Sequence, residues 1–207
     1  MAPRSRTSRI RPAALTASLW LIVCLIGSYF AMTYEFRGGA MGTTPLSWPS
    51  ESHLAREPRV NTVVAFLHPR CPCSRATVAQ LLRTLAAHPG SSLLVPVFVP
   101  AEPAAAGPWM ESDTVRMIRA ALPQAVIVAD RGGTEAERFG ALTSGTILVY
   151  DARGQRIFQG GITDRRGGEG DNPGLRQLAR TLSGAHKLGK QDTSPVFGCP
   201  IIVQGGR

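Results

Sequence analysis

An apolar, β-branched run ends just before a Cys-Pro-Cys sequence, and a stretch with helical periodicity follows. The run Thr62–Leu67 has the composition of a buried central strand. Beyond the cysteines, apolar residues recur at positions three and four apart from Val78 to Leu85, which predicts an amphipathic helix. The chain therefore forms a strand-to-helix unit here, and Cys71 and Cys73 lie at the turn between the two elements.

The remaining segments predict an α/β fold in which a central mixed β-sheet is flanked by helices. The apolar run Leu93–Val99 contains Pro96, and since proline cannot donate to a ladder, we expect this strand to lie at a sheet edge or to carry a bulge. The runs 146–150 and 155–159, joined by a turn that ends in Gly154, predict an antiparallel hairpin. Other expected elements are a helix over 113–122, an extended run over 125–129, a short helix over 134–142 and a last helix over 175–182.

The N-terminus has the pattern of a membrane anchor. An uncharged stretch, residues 13–34, would span roughly 33 Å as a helix, about the thickness of the bilayer's hydrocarbon. Arginine clusters before it, which predicts a cytoplasmic N-terminus, a single pass through the inner (plasma) membrane and a periplasmic or otherwise extracytoplasmic domain. A cleaved signal peptide is the alternative; its apolar region would be shorter and followed by a small-x-small site. The arginines are Arg4, Arg6, Arg9 and Arg11.

These patterns divide the chain into five parts. They are a cytoplasmic basic segment (1–12), a transmembrane anchor (13–34), a linker (35–58), the α/β domain (59–183) and a C-terminal tail (184–207). Within the domain, the glycine-rich loop Gly160–Gly174 is either a flexible connector or a lid or partner-contact loop.

Charge and composition exclude several classes of function. The net charge is +9, but part of it belongs to the N-terminal arginines, the rest of the chain has no run of Lys or Arg, and aromatic residues make up only 6%. A nucleic-acid partner is therefore not expected. The sequence contains no Gly-x-Ser-x-Gly or His-Glu-x-x-His motif, and the glycine-rich loop lacks the ending of a phosphate-binding loop.

Cys71 is placed for thiolate chemistry. Pro72 suits the first position of a helix because it has no N–H to leave unpaired, so Cys71 becomes the N-cap residue. Its sulfur then faces unpaired amides and the positive end of the helix dipole, and Arg70 and Arg75 can add to this. The pKa of Cys71 should fall below the free value of about 8.5. We interpret Cys71 as a nucleophile and Cys73 as its resolving thiol.

Two other uses of the cysteines remain open. Outside the membrane segment, which contains Cys24, three cysteines are present, and an odd number leaves one thiol after a single bridge. Cys71, Cys73 and Cys199, with His68, could instead hold copper as Cu(I), or a bridge could be purely structural. Cys199 is either a free or tail-anchoring cysteine, or a third thiol that docks near Cys71.

The segment from Val63 to Ser74, Val-Val-Ala-Phe-Leu-His-Pro-Arg-Cys-Pro-Cys-Ser, resembles the active-site segment of membrane-anchored thioredoxin-like proteins of the TlpA and ResA type. The likeness extends over about 120 residues. Cys-Pro-Cys-Ser, Gly-Gly-Ile-Thr at 160–163 and Phe-Gly-Cys at 197–199 are also similar to a smaller bacterial group labelled RedB.

The resemblance implies a thioredoxin-like fold, no cofactor, and thiol–disulfide exchange with a protein or small-molecule thiol or disulfide. The chain departs from the family in having Cys-x-Cys instead of Cys-x-x-Cys, and in lacking the family's proline near Ser144–Thr146. That proline normally faces the cysteines and helps to hold substrate backbone. A copper-handling or cytochrome-assembly accessory protein and a non-catalytic binding domain are therefore the alternatives.

Overall fold

The computed structural model describes residues 7–100, 106–185 and 192–201 of the 207-residue chain. Contacts divide the chain into two compact units, Met1–Arg37 and Gly38–Arg207. The elements in chain order are α1 (Thr7–Phe36), β1 (Asn61–Leu67), α2 (Pro72–Ala87), β2 (Ser92–Phe98), α3 (Ala106–Trp109), α4 (Asp113–Ala121), β3 (Val128–Ala129), α5 (Thr134–Arg138), β4 (Thr146–Tyr150), β5 (Arg156–Gly160), α6 (Pro173–Leu182) and β6 (Asp192–Thr193).

The first unit contains the predicted apolar helix. Its Ala13–Phe36 portion has 24 residues and is long and apolar enough to cross a membrane. At about 1.5 Å per residue it spans about 36 Å, compared with about 30 Å for the hydrocarbon of a bilayer. Large apolar side chains such as Leu19, Trp20 and Phe30 are exposed on it. This helix is therefore a candidate membrane span. An apolar signal sequence near an N-terminus has the same length and composition and is the alternative.

The second unit has a thioredoxin-like fold, as predicted. The strands of its described part form one mixed sheet in the order β3-β2-β1-β4-β5-β6. β1 pairs in parallel with β2 and antiparallel with β4, and β4 and β5 form the expected antiparallel hairpin. A parallel βαβ unit, an antiparallel hairpin and a closing helix, α6, define the thioredoxin-like arrangement.

Strand β1 is buried on both faces, which explains its continuous apolar sequence. Val63, Ala65 and Leu67 belong to a core formed with α2, α4 and α6, whereas Val64 and Phe66 belong to a second core on the opposite face. Because β1 is fixed from both sides, the turn at its carboxyl end, which contains the cysteines, has a rigid support.

The prediction that Pro96 marks an edge strand or a bulge is wrong on both counts, because β2 is not an edge strand and its register with β1 runs through Pro96 without a shift. Pro96 is in β2, which lies between β1 and β3. β3 is short, however, and pairs only with Val97 and Phe98, while Pro96 stands opposite Ala65 of β1. The ladder between β2 and β3 begins just after the proline, so the missing N–H interrupts no pairing with β3.

Helix α5 is shorter than the sequence indicated, ending at Arg138 instead of residue 142. Gly140 adopts a positive φ of 67°, and the amide of Ala141 donates to the carbonyl of Ala136 at 2.7 Å. A left-handed glycine just after the last turn is a common helix stop, which the apolar pattern alone does not reveal.

The segments on either side of the predicted domain also pack onto the second unit. Residues 38–58 are part of the segment 35–58 that the sequence indicated as a linker, and they include Trp48, whose ring lies 5.2 Å from the rings of both Phe139 and Tyr150. The tail, in which no element was predicted, forms β6 and pairs in parallel with β5. Residues 192–201 therefore follow a defined path over the domain.

Candidate functional site

The turn between β1 and α2 places Cys71 at the start of a helix. Cys71 is the N-cap residue, with extended backbone angles (φ −95°, ψ 125°), and Pro72 occupies the first helical turn. The carbonyl of Cys71 accepts a hydrogen bond from the amide of Arg75 at 3.1 Å. Its side chain therefore projects at the helix N-terminus, in the position that the Cys-Pro sequence indicated.

Three sulfur atoms meet at this turn. The Sγ atoms of Cys71, Cys73 and Cys199 all lie within 4.8 Å of one another, and those of Cys71 and Cys199 are 3.2 Å apart. Cys71 and Cys73 are buried, and Cys199 is partly buried. All are free thiols here, and the fourth cysteine, Cys24, belongs to α1. A contact of 3.2 Å between sulfur atoms suits disulfide formation after a small movement.

The tail reaches Cys71 because it pairs with the chain segment just before β4. The amide of Ser144 donates to the carbonyl of Cys199 at 2.8 Å, and the amide of Ile201 donates to the carbonyl of Leu142 at 3.0 Å. The amide of Cys199 in turn donates to the Ser144 hydroxyl at 3.0 Å. These bonds form a short antiparallel bridge centred on Thr143, which fixes the position of the Cys199 side chain.

A glycine allows this close approach. A Cβ atom added at Gly198 would lie 1.9 Å from the carbonyl oxygen of Ser144, far inside any real contact. The Phe-Gly-Cys sequence therefore contains glycine where the tail backbone meets the domain. The carbonyl of Gly198 also accepts a hydrogen bond from Arg166 of the glycine-rich loop. This bond connects the loop to the tail next to Cys199.

The surroundings of Cys71 stabilise its thiolate. Its pKa is lowered to about 4, mainly because the Cys73 thiol donates a hydrogen bond to the sulfur. The backbone amide of Ser74, the Cys199 thiol and the Ser144 hydroxyl, 3.6 Å away, lower it further, and burial opposes them. The Ser74 amide contributes without completing a capping hydrogen bond. At neutral pH, Cys71 is therefore ionised.

The two neighbouring thiols stay protonated. The hydrogen bond to the Cys71 thiolate and burial both raise the pKa of Cys73. Burial raises the pKa of Cys199 first, and the negative charge on Cys71 raises it further, although the charge of Arg166 opposes this. The cluster thus contains one thiolate and two thiol donors, which is the protonation state that a nucleophile with nearby resolving thiols requires.

His68 lies beside the site but outside the sulfur cluster. Its ring packs edge-on against Trp109, with centroids 5.0 Å apart, and burial lowers its pKa. Its Nδ1 atom is buried without a hydrogen-bond partner among the described residues. The guanidinium of Arg70 lies over the same indole, 5.1 Å from the ring centroid. In the described part of the chain, the group that could bind a metal consists of the three cysteines alone.

Sequence reasoning missed Ser144 and Arg166. Ser144 contacts both Cys71 and Cys199, and Arg166 holds the tail through Gly198. A signal for Ser144 was present, because it precedes the hairpin at the place where the resembled family has its proline. Nothing in the sequence around Arg166 distinguishes it from Arg165, so its role becomes visible only when the path of the tail is known.

Solved structures share this fold. A hypothetical protein of Sinorhizobium meliloti is 20% identical, with a TM-score of 0.55, covering 82% of this chain and 96% of that one. An uncharacterized conserved protein of Geobacillus kaustophilus is 17% identical, with a TM-score of 0.55, covering 83% and 95%. A secreted disulfide oxidoreductase of Mycobacterium tuberculosis is 15% identical, with a TM-score of 0.42, covering 62% and 83%. No family model matches the sequence, and neither does any curated protein.

Proposed function

We propose that the protein is a thiol–disulfide oxidoreductase in which Cys71 is the nucleophile. The observation that carries this proposal is the contact between an ionised Cys71 and the thiols of Cys73 and Cys199, with the Cys199 sulfur 3.2 Å away. A thiolate is the attacking form of cysteine, and a second thiol within bonding reach can release the product. The thioredoxin-like fold supports the same chemistry by analogy.

The reaction proceeds in two exchanges. The Cys71 thiolate attacks one sulfur of a substrate disulfide, forms a mixed disulfide and releases the other half as a thiolate. A neighbouring thiol, with loss of its proton to solvent or to that leaving group, then attacks the Cys71 sulfur and releases the second half. One substrate disulfide becomes two thiols, two electrons leave the protein and one protein disulfide forms. An external dithiol would restore the reduced state.

In place of Cys73, which the sequence indicated, we assign Cys199 as the resolving thiol, and we assign Cys73 as the hydrogen-bond donor that stabilises Cys71. The Cys199 sulfur is already in contact with that of Cys71 and comes from a separate strand-like segment. A bridge between Cys71 and Cys73 would instead close a tight ring across the first turn of α2. Ser144 positions Cys199 because it bonds to both backbone polar groups of Cys199. The Ser144 amide donates to the Cys199 carbonyl, and the Ser144 hydroxyl accepts from the Cys199 amide.

The test is a single turnover of the full chain, reduced and in detergent micelles, with the neutral substrate 2-hydroxyethyl disulfide. We expect the protein to lose two thiols while two equivalents of mercaptoethanol appear, and mass mapping to find Cys71 in the new bond. A reaction at pH 5 that is no faster than that of a free small thiol at the same pH, or a bond that excludes Cys71, would overturn the proposed function.

The N-terminal helix supports a place for this activity outside the cytoplasm. We propose that α1 is a retained single-pass anchor in the inner membrane, with the N-terminal arginines on the cytoplasmic side and the domain in the periplasm or its equivalent. Its length and its exposed apolar surface support the proposal. Membership of the TlpA and ResA type or of the RedB-labelled group belongs to the same proposal and rests on the motifs alone.

The sulfur cluster also supports a second candidate function, the binding of Cu(I). Three sulfur atoms within 4.8 Å, one of them an ionised thiolate, are a donor set that suits a soft metal ion. Under this alternative, Cys71, Cys73 and Cys199 would be the ligands of a copper-handling or cytochrome-assembly protein.

A titration of the reduced chain with Cu(I) in the presence of a competing chelator tests the copper alternative. If the three cysteines are ligands, we expect one equivalent to bind, Cys73→Ser to lose at least about tenfold in affinity because a ligand is removed, and Cys24→Ser to bind like the wild type. A chain that cannot compete with the chelator, or a Cys73→Ser chain that binds unchanged, would eliminate this candidate.

A further inference from the structure

Resting on the proposed disulfide chemistry, we propose that the substrate disulfide of Cys71 is a small anionic molecule, bound in a cavity beside the helix start. We name this the arginine cavity; Cys71 lies in its lining together with Arg70, Arg75 and Arg116. The inference rests on which approach to Cys71 is filled, on the size of the cavity and on its charge.

The backbone edge beside Cys71 is filled by the protein's own tail. The amide of Ser144 already donates to the carbonyl of Cys199, and the carbonyl of Leu142 already accepts from the amide of Ile201. Gly198 lies against the carbonyl of Ser144. An extended peptide that presented a cysteine to Cys71 along this edge would have to displace the paired tail. The tail therefore disfavours a protein strand as the substrate.

The arginine cavity has the size of a small-molecule site. Its volume is about 410 Å³, within the range of about 300 to 1,000 Å³ typical of ligand pockets. Cys71 is itself one of the lining residues, so a molecule bound there lies beside the nucleophile. The cavity is formed by the helix start at Cys71 and by the start of α4 at Ser112.

The charge of the cavity favours an anion. Three guanidinium groups line it against one carboxylate, that of Asp113, which pairs with Arg116. Arg70 lies over Trp109, and Arg75 has no carboxylate partner in the part of the chain that the structure describes. Both α2 and α4 begin at the cavity, so their amide ends add positive potential. Arginine matches carboxylates in geometry as well as in charge.

The exchange with such a substrate balances as before. With glutathione disulfide, a net anionic molecule, the Cys71 thiolate bonds to one sulfur and glutathione thiolate leaves. Cys199 then loses its proton, bonds to Cys71 and releases the second glutathione. The carboxylates of the bound half contact the arginines of the cavity throughout, so the mixed disulfide stays oriented until Cys199 reacts.

The test compares three small disulfides on the reduced full chain, each rate being divided by that of a free small thiol with the same disulfide. Glutathione disulfide is anionic, cystamine is cationic and 2-hydroxyethyl disulfide is neutral. We expect the anionic disulfide to exceed the cationic one by at least about tenfold at low salt. Because the arginines are exposed, this ratio should shrink at about 1 M salt, where the Debye length is only about 3 Å.

Two charge reversals complete the test. Arg75→Glu should abolish or reverse the preference for glutathione disulfide over cystamine, because it reverses the charge at one side of the cavity. Arg119→Glu, an equal change on α4 outside the cavity, should keep the preference.

The outcomes separate this inference from the function on which it rests. If 2-hydroxyethyl disulfide reacts while the normalised rates of all three disulfides agree, or if Arg75→Glu keeps the anion preference, the small anionic substrate is refuted and the oxidoreductase stands. If an acidic peptide disulfide, added as a fourth substrate, reacts faster than glutathione disulfide, a peptide can displace the tail from the edge beside Cys71 and the inference is refuted. If none reacts, the oxidoreductase itself fails.

Discussion

Cys71→Ser should reduce the rate of disulfide exchange on the order of a thousandfold or more. A serine hydroxyl at this position stays protonated at neutral pH and is a weak nucleophile, so the first exchange cannot begin there. The remaining thiols do not substitute for it, because burial still raises the pKa values of both Cys73 and Cys199 when the Cys71 charge is gone, so neither becomes a stabilised thiolate. The measurement is the single turnover with 2-hydroxyethyl disulfide, followed by mass analysis.

Cys24→Ser is the matched control for this loss. It removes a thiol from α1, outside the sulfur cluster, and should keep the full rate. If Cys71→Ser retains more than about a tenth of the wild-type rate while Cys24→Ser behaves normally, the nucleophile is a different thiol. Folding of the serine variant is checked by its thermal unfolding, since both substitutions are nearly isosteric.

Gly198→Ala should separate the tail from the site. The new Cβ would overlap the carbonyl oxygen of Ser144, so the tail backbone must move and its hydrogen bonds on either side of Cys199 must break. We expect Cys199 of the reduced protein to become alkylated at least about tenfold faster, as its pKa returns towards that of a free thiol and its burial is lost. Overpacking of this kind costs about 1–3 kcal/mol.

Disulfide mapping of the same variant gives the second readout. The oxidised wild type should contain a Cys71–Cys199 bond, whereas oxidised Gly198→Ala should contain Cys71–Cys73 or leave Cys199 free. Gly107→Ala is the control, because a Cβ there meets nothing within 4 Å and the glycine has an ordinary φ. If Cys199 of the wild type never pairs with Cys71 and remains alkylatable throughout oxidation, its assignment as the resolving thiol is refuted.

Local rules were enough to place Cys71. A strand with apolar residues on both faces, followed by Cys-Pro and a helical period, specifies an N-cap cysteine without knowledge of distant contacts. The hairpin was predictable for the same reason, because the turn that ends at Gly154 lies between two short apolar runs. Such features depend on neighbours within a few positions of the sequence.

The electrostatics of the site were only partly predictable. The sequence indicated helix amides as the source of a low pKa, but the largest cause is the hydrogen bond from Cys73, with Cys199 and Ser144 adding to it. Cys199 is 128 residues from Cys71. Its arrival depends on the pairing of the tail with Leu142 and Ser144, and no periodicity in the tail signals that pairing.

The error at Pro96 has a similar origin. Proline was interpreted as a mark of an edge strand or a bulge, which is correct for a full ladder. Here β3 is only two residues long and pairs beyond the proline, so β2 can have a neighbour on each side without losing a hydrogen bond at that position. Whether a two-residue strand forms depends on the loops around it, and these carry little pattern of their own.

The central claim is that Cys71 is a thiolate at neutral pH, and its consequence is a displaced pH profile. At pH 5, the ionised fraction of a cysteine with a pKa of about 4 is about 3,000 times that of a free thiol with a pKa of about 8.5. Its intrinsic nucleophilicity is lower by about a hundredfold, given a Brønsted slope of about 0.4–0.5. The net rate advantage at pH 5 is therefore about thirtyfold.

The most direct measurement is the rate of alkylation of Cys71 by iodoacetamide in the reduced full chain between pH 3 and pH 10, followed by peptide mass. Because only the thiolate reacts, we expect the rate to be flat from about pH 5 to pH 8 and to fall by half near pH 4. A rate that rises through this range with a midpoint near pH 8.5, as for a free thiol, would contradict the stabilised nucleophile and the chemistry built on it.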